Sequence, residues 1–148
     1  MPGPIIPELY NQATADAMRD GDELVAGLPA YLGIRVIDVG PGTMTASLDV
    51  RDDLLNPFGS LHGGVISALV DHVLGAVLYP VIERGRWAAT TEFKLNLLAA
   101  VREGALTAKS TVISLTRRTA VVQVEVQNGD RLCGLAQGTV LIAEPRST

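Results

Sequence analysis

From Gly63 to Ile82 the chain reads GGVISALVDHVLGAVLYPVI, twenty residues with one formal charge, Asp71. No other stretch constrains the fold as much. A helix that is apolar on nearly every face must be enclosed by other elements or by lipid. The length would suit a bilayer span. However, the segment also carries His72 and Pro80, and strand-like segments flank it. The expectation is a buried central helix in a cytoplasmic protein, with no membrane partner.

The flanking segments can supply the enclosure. Gly33 to Val50, GIRVIDVGPGTMTASLDV, reads as a hairpin turning at Gly40-Pro41-Gly42, with Met44, Ala46, Leu48 and Val50 alternating against polar neighbours. After Gly85 come WAATTEFKLNLLA, ALTAKSTVISL, RTAVVQVEVQ and RLCGLAQGTVLI, β-branched and separated by short turns. Asn128-Gly129 marks a two-residue hairpin turn with positive φ at both positions. Several antiparallel strands and one apolar helix share a core when the sheet curls around the helix. A polar N-terminal helix is expected over residues 8 to about 26, with Leu9, Ala13, Ala17 and Leu24 as a weak apolar stripe. The chain divides into a helical extension, 1–28, and a single α+β domain, 29–148.

Composition removes several classes of function. A net charge of −4 and the lack of a Lys/Arg block give no basis for nucleic-acid binding. One cysteine excludes an internal disulfide, and two histidines ten residues apart do not form a zinc pair, so no metal is expected. Cys133 lies in a strand-like run and reads as a small buried residue. The N-terminus lacks the basic start and apolar core of a signal peptide. Neither a G-x-S-x-G elbow nor a phosphate or dinucleotide loop is present.

What remains is NPFGSLHGG, residues 56–64, running into the apolar helix. Glycine in a helix costs about 1 kcal/mol relative to alanine, so Gly63-Gly64 at a helix start calls for a reason. A tight loop-to-helix turn or close packing on a strand is one. The other is a donor site: the first N–H groups of a helix are unpaired and sit at its positive end, where an oxyanion can be held. Ser67, Asp71 and Gly75 share one helix face at spacings of four, amid apolar neighbours. A carboxylate in such surroundings is either satisfied by another element or used in chemistry. His72 projects about 100° away and reads as a surface or interface residue. Asp71 is eight residues past Gly63, about 12 Å along the axis. A single chain would struggle to bring both to one reacting carbon, whereas two antiparallel copies could pair Gly63 of one with Asp71 of the other.

With Asn56, Leu61-His62-Gly63-Gly64, Asp71 and the later strand ATTEFKLNLLAAVREG, the chain resembles the hotdog-fold acyl-CoA thioesterases of the PaaI-like branch over residues 30 to 143. The resemblance implies a curved antiparallel sheet around one long helix, a homodimer with a continuous sheet, and often a tetramer of two dimers. It implies that the Gly63 amide polarises the thioester carbonyl, helped by Asn56. Asp71 of the opposite subunit would act as base or nucleophile, and His62 would fix the loop. Gly64 would bind substrate beside Gly63, and Thr90 or Thr91 would hold the water. Arg117-Arg118, and less strongly Arg84, Arg86, Lys94 and Arg102, are candidate contacts for the coenzyme A phosphates. No cofactor is implied, since coenzyme A belongs to the acyl-CoA substrate. Leu54, Leu55, Phe58, Leu61, Leu78, Tyr79 and Phe93 are candidates for an apolar acyl pocket. The rival readings are a non-catalytic acyl-CoA-binding hotdog protein, which has little use for Asp71, and a hotdog hydratase or dehydratase, whose histidine-acid loop pattern is absent.

Overall fold

The computed structural model describes residues 6–21 and 26–145. Helices α1 (Ile6–Leu9), α2 (Gln12–Asp20) and α3 (Gly27–Leu32) precede the hairpin β1 (Arg35–Gly40) and β2 (Thr43–Asp49). A loop then leads to α4 (Gly63–Ala76), followed by β3 (Trp87–Leu97), β4 (Ala105–Leu115), β5 (Thr119–Asn128) and β6 (Arg131–Ala143). All six strands form one antiparallel sheet in the order β1-β2-β4-β5-β6-β3. Its concave side wraps α4, as the hotdog arrangement requires, and α4 packs against every strand from β2 to β6.

Alternation decides what the sheet buries. On β4, Leu106, Ala108, Ser110 and Val112 face inward, and on β5 Ala120, Val122, Val124 and Val126 do the same. They meet Ile66, Leu69, Val70, Val73 and Leu74 of α4. Gly138 lies where β3, β6 and α4 converge. A Cβ there would sit 2.6 Å from the Glu92 carbonyl oxygen and 3.2 Å from Leu74 Cδ1, so only glycine lets the three elements close up. Cys133 is fully buried, its Sγ 3.3 Å from the Val126 carbonyl, and burial pushes its thiol above the ordinary range.

Gly63–Val81 has a mean hydropathy of 1.6 and is long and apolar enough to cross a membrane by composition alone; 56% of it is buried inside the fold. The helix is shorter than the apolar run. It ends at Ala76, and a 3-10 turn follows at Tyr79–Val81. Pro80 lacks an N–H and its ring would clash with the carbonyl four residues back, so the helix cannot continue through it.

Where one N-terminal helix is expected over residues 8 to about 26, the described residues form two short ones, α1 and α2, and Leu24 lies outside the described residues. The Asn11 side chain accepts the Thr14 N–H at 3.0 Å and starts a new helix there, and Gly21 ends it at φ 89°. Helix α3, not anticipated, tolerates Pro29 because first-turn N–H groups have no helical partner anyway. The hairpin turn between β5 and β6 is also one residue later than expected. Asn128 pairs with Arg131, so Gly129 and Asp130 form the turn, and only Gly129 has positive φ. Asn128 is held in the strand because its side-chain amide donates to Glu103 O and Ala105 O at 3.1 and 3.0 Å.

Two features of this architecture position the site. β3 is an edge strand, with no neighbour along its outer side among the described residues. The sheet also covers only one side of α4, leaving Gly64 and Asp71 exposed and Ser67, Ala68 and Gly75 half-buried on the other.

Candidate active site at the start and open face of the central helix

The loop before α4 is knitted by Asn56. Its side-chain oxygen accepts the N–H groups of Phe58 and Ser60 at 2.9 and 3.1 Å, while its own N–H donates to the Ser60 carbonyl at 2.6 Å. Asn56 Nδ2 has no acceptor among the described residues. Leu61 and His62 are then tied to the body by N–H donation to Val101 O and Leu54 O at 2.7 and 3.0 Å.

His62 is the N-cap of α4, with φ −61° and ψ 133°, and its Nδ1 accepts the Gly64 N–H at 2.8 Å. The His62 carbonyl takes the N–H of Val65 at 2.9 Å and of Ile66 at 3.4 Å. Of the unpaired donors that a helix start presents, these contacts use all but one. The Gly63 amide has no acceptor among the described residues. The two glycines thus serve different needs. A Cβ on Gly64 would press on the His62 ring at 3.0 Å, whereas one on Gly63 would meet only the flexible end of Leu97, at 2.9 Å.

Asp71 departs from its expected surroundings. It is exposed and forms no ion pair among the described residues. Counting apolar neighbours along the sequence puts it in a buried helix, but those neighbours face the sheet and Asp71 faces away. With Gly75, Tyr79, Ala88 and Thr90 it borders a groove of about 390 Å³. His72, expected at the surface or at an interface, is half-buried and borders the same groove. The spacing of seven between His72 and Tyr79, two helical turns, is the signal that could have placed His72 there. A second groove, of about 300 Å³, lies between α3 and the start of α4, lined by Leu28, Leu32, Leu54, Leu55 and His62.

Burial lowers the His72 pKa from 6.5, and the neighbouring Asp71 carboxylate only partly offsets this. The folded protein therefore binds fewer protons at this site than the unfolded chain once the pH drops below 6.5, and stability falls there. Urea unfolding at pH 7.5 and 5.5, at fixed protein concentration, should show a smaller acid-side loss for His72→Asn than for the parent. Equal losses would remove His72 as the cause.

The remaining candidates separate by position. Thr90 borders the Asp71 groove, whereas Thr91 sits at the β3 bulge with its hydroxyl donating to Thr139 O at 3.0 Å. Arg117 and Arg118 are exposed in the β4–β5 turn, outside both grooves, a turn shaped by the Thr116 hydroxyl. The next residue, Thr119, pairs with Leu141, which pairs with Ala89, so the turn lies at the Asp71 end of the sheet, about 10 Å across two strands. Arg86 is not a solvated surface charge: its side chain is 8% exposed and bonded to Glu144 at 2.9 Å and Ile142 O at 3.2 Å. Of the apolar candidates, Leu61 and Leu78 are core, while Phe58 is 86% exposed. Among the described residues no three His, Cys, Asp or Glu side chains cluster as a metal site.

An exposed carboxylate and a free helix-start amide are groups that hydrolytic chemistry can use. Comparison with known proteins gives the family. The sequence profile of the thioesterase superfamily matches residues 58–134. The chain is 27% identical to the 1,4-dihydroxy-2-naphthoyl-CoA hydrolase of Listeria monocytogenes, over 81% of this chain and 98% of that protein. It is also 27% identical to the hydrolase of the same name from Escherichia coli, over 86% and 90% respectively. The fold superposes on a thioesterase from Haemophilus influenzae with a TM-score of 0.83 at 26% identity, covering 94% of this chain and 97% of the other.

Proposed function

The chain belongs to the thioesterase superfamily and is a thioester hydrolase, and from that premise we propose that it cleaves an acyl-CoA to the free acid and CoA at a site shared by two subunits. The observation that carries this reading is the free Gly63 amide at the start of α4, with Asp71 two turns along the uncovered side of the same helix. The Gly63 N–H, with the Asn56 amide, holds the thioester oxygen as it gains negative charge. Asp71 of the partner subunit takes a proton from the water that adds to the carbonyl carbon, or attacks that carbon itself, in which case water then hydrolyses the mixed anhydride to the free acid and restores the carboxylate. The tetrahedral intermediate collapses, the C–S bond breaks and CoA leaves as a thiolate. His62 acts through the loop, holding Gly64 so that Gly63 alone is left to donate.

The free edge of β3 explains why two chains are needed. Gly63 adjoins Leu97 at one end of β3, and the Asp71 groove adjoins Ala88 and Thr90 at the other. Antiparallel pairing of two β3 edges about a two-fold axis near Glu92 lays the Leu97 end of one copy beside the Trp87 end of the other. Each Gly63 then meets the partner's Asp71 groove, and the separation of about 12 Å within one chain no longer matters. Leu97 and Leu98, 55% and 52% exposed, are covered by the same pairing. A dimer of this kind, or a tetramer of two, is the working unit. Thr90 steadies the water, and Arg117 and Arg118 reach the phosphates of CoA.

Thiol release from benzoyl-, phenylacetyl-, hexanoyl- and dodecanoyl-CoA tests the reaction. Turnover of at least one is expected. Binding without turnover across the panel would instead identify a carrier or sensor.

A further inference from the structure

Behind the Asp71 groove lies a larger cavity, about 470 Å³, between α2 and the turn that leads to β3. Ala17, Met18 and Ile82 are its apolar lining, along which a hydrocarbon chain would run, and Glu83, Arg84 and Arg86 add charged groups. Tyr79 is the one described residue that borders both this cavity and the groove. We propose that Tyr79 is the residue that sets acyl-chain length, by closing the Asp71 groove against this cavity; the inference rests on the thioesterase reading above.

Local structure fixes the ring at that point. Tyr79 opens the 3-10 turn that Pro80 imposes after α4, and it packs half-buried against the core. The α2 segment is clamped to the same turn by the Asn11 N–H, which donates to Pro80 O at 2.7 Å. The Tyr79 hydroxyl meets the Ala88 N–H only at 3.5 Å, the long limit for a hydrogen bond, so the ring acts as a wall more than as a polar anchor. Tyr79 borders the same groove as Asp71, so its ring limits the length of that groove. Small residues, Gly75 and Ala88, leave room beside the carboxylate. An acyl group whose carbonyl carbon lies at Asp71 therefore runs along the groove and stops at Tyr79. Aromatic and short aliphatic acyl groups fit in front of the ring, whereas longer chains need the cavity behind it. Small-molecule sites usually occupy ~300–1,000 Å³, so the groove alone is near the lower bound and the joined space is well within the range.

The test compares kcat/KM for hexanoyl- and dodecanoyl-CoA in the parent, Tyr79→Ala, Tyr79→Leu and Tyr79→Phe, each checked for folding by circular dichroism. Each newly buried methylene is worth about 0.8 kcal/mol, or about fourfold, so opening the wall to two or more should raise the dodecanoyl-to-hexanoyl ratio at least about tenfold. The leucine variant keeps this measurable if the alanine variant folds poorly. Tyr79→Phe retains the wall and should keep the parent's ratio. An unchanged ratio in folded Ala and Leu variants, or a phenylalanine variant that shifts as far as alanine, overturns the proposal. So does a parent that already prefers the longer chain. A parent inactive on every acyl-CoA would instead remove the thioesterase reading, and this inference with it.

Discussion

Replacing Asp71 with asparagine is expected to lower kcat on acyl-CoA by about 10²–10⁴-fold, the range for losing a general base, with little change in KM. Asparagine has the same shape but can neither accept a proton from water nor attack a carbonyl, so both routes open to the carboxylate are lost together. Position makes the experiment clean. Asp71 is exposed and makes no ion pair among the described residues, so its exchange leaves no buried partner unsatisfied. Changes at such surface positions usually stay within about 0.5 kcal/mol of the parent's stability. Thiol release measured beside thermal unfolding separates the two effects. A folded variant with the parent's kcat would leave Asp71 without a catalytic role.

How much of this was legible beforehand depends on what periodicity can see. The central helix and the strands were readable because Leu69, Val73, Val122 and Val124 repeat at the periods that helices and strands impose. The pairing of a helix-start glycine with an acid eight residues on was readable as spacing alone. The exposure of Asp71 was not, because a sequence records how many apolar neighbours a residue has and not which of them the sheet covers. α3 was hidden because Pro29 and Gly33 are residues that commonly break helices, although in the first turn and just past the end of a short helix they are compatible with it. The turn at Gly129-Asp130 moved by one residue because Asn128 is recruited by two carbonyls near the start of β4, a long-range contact that no local turn rule contains. Thr90 and Thr91 are adjacent in sequence, and the β3 bulge gives them different surroundings, Thr90 at the groove and Thr91 bonded to Thr139 O.

The second large effect is expected at Gly63, where proline removes the free donor without opposing the helix. Gly63 is the first residue of α4, a position at which proline is favoured because its missing N–H has no helical partner. The preceding residue must then be extended, and His62, at φ −61° and ψ 133°, already is. The added ring atoms press on the end of Leu97, a flexible side chain that can yield. Gly63→Pro should therefore fold and yet lose about 10²–10³-fold in kcat, the usual consequence of deleting one oxyanion donor. Gly63→Ala, which keeps the N–H and makes the same contact with Leu97, should lose far less. That contrast assigns the loss to the hydrogen bond and not to crowding. Mixing the two crippled chains extends the test to the shared site. A dimer of one Asp71→Asn chain and one Gly63→Pro chain keeps one intact Gly63 facing one intact Asp71. Random re-pairing of equal amounts should then restore about a quarter of the parental activity, as two-fold symmetry dictates. If each site lay within a single chain, every site in the mixture would carry a defect, and refolding the chains together would restore nothing.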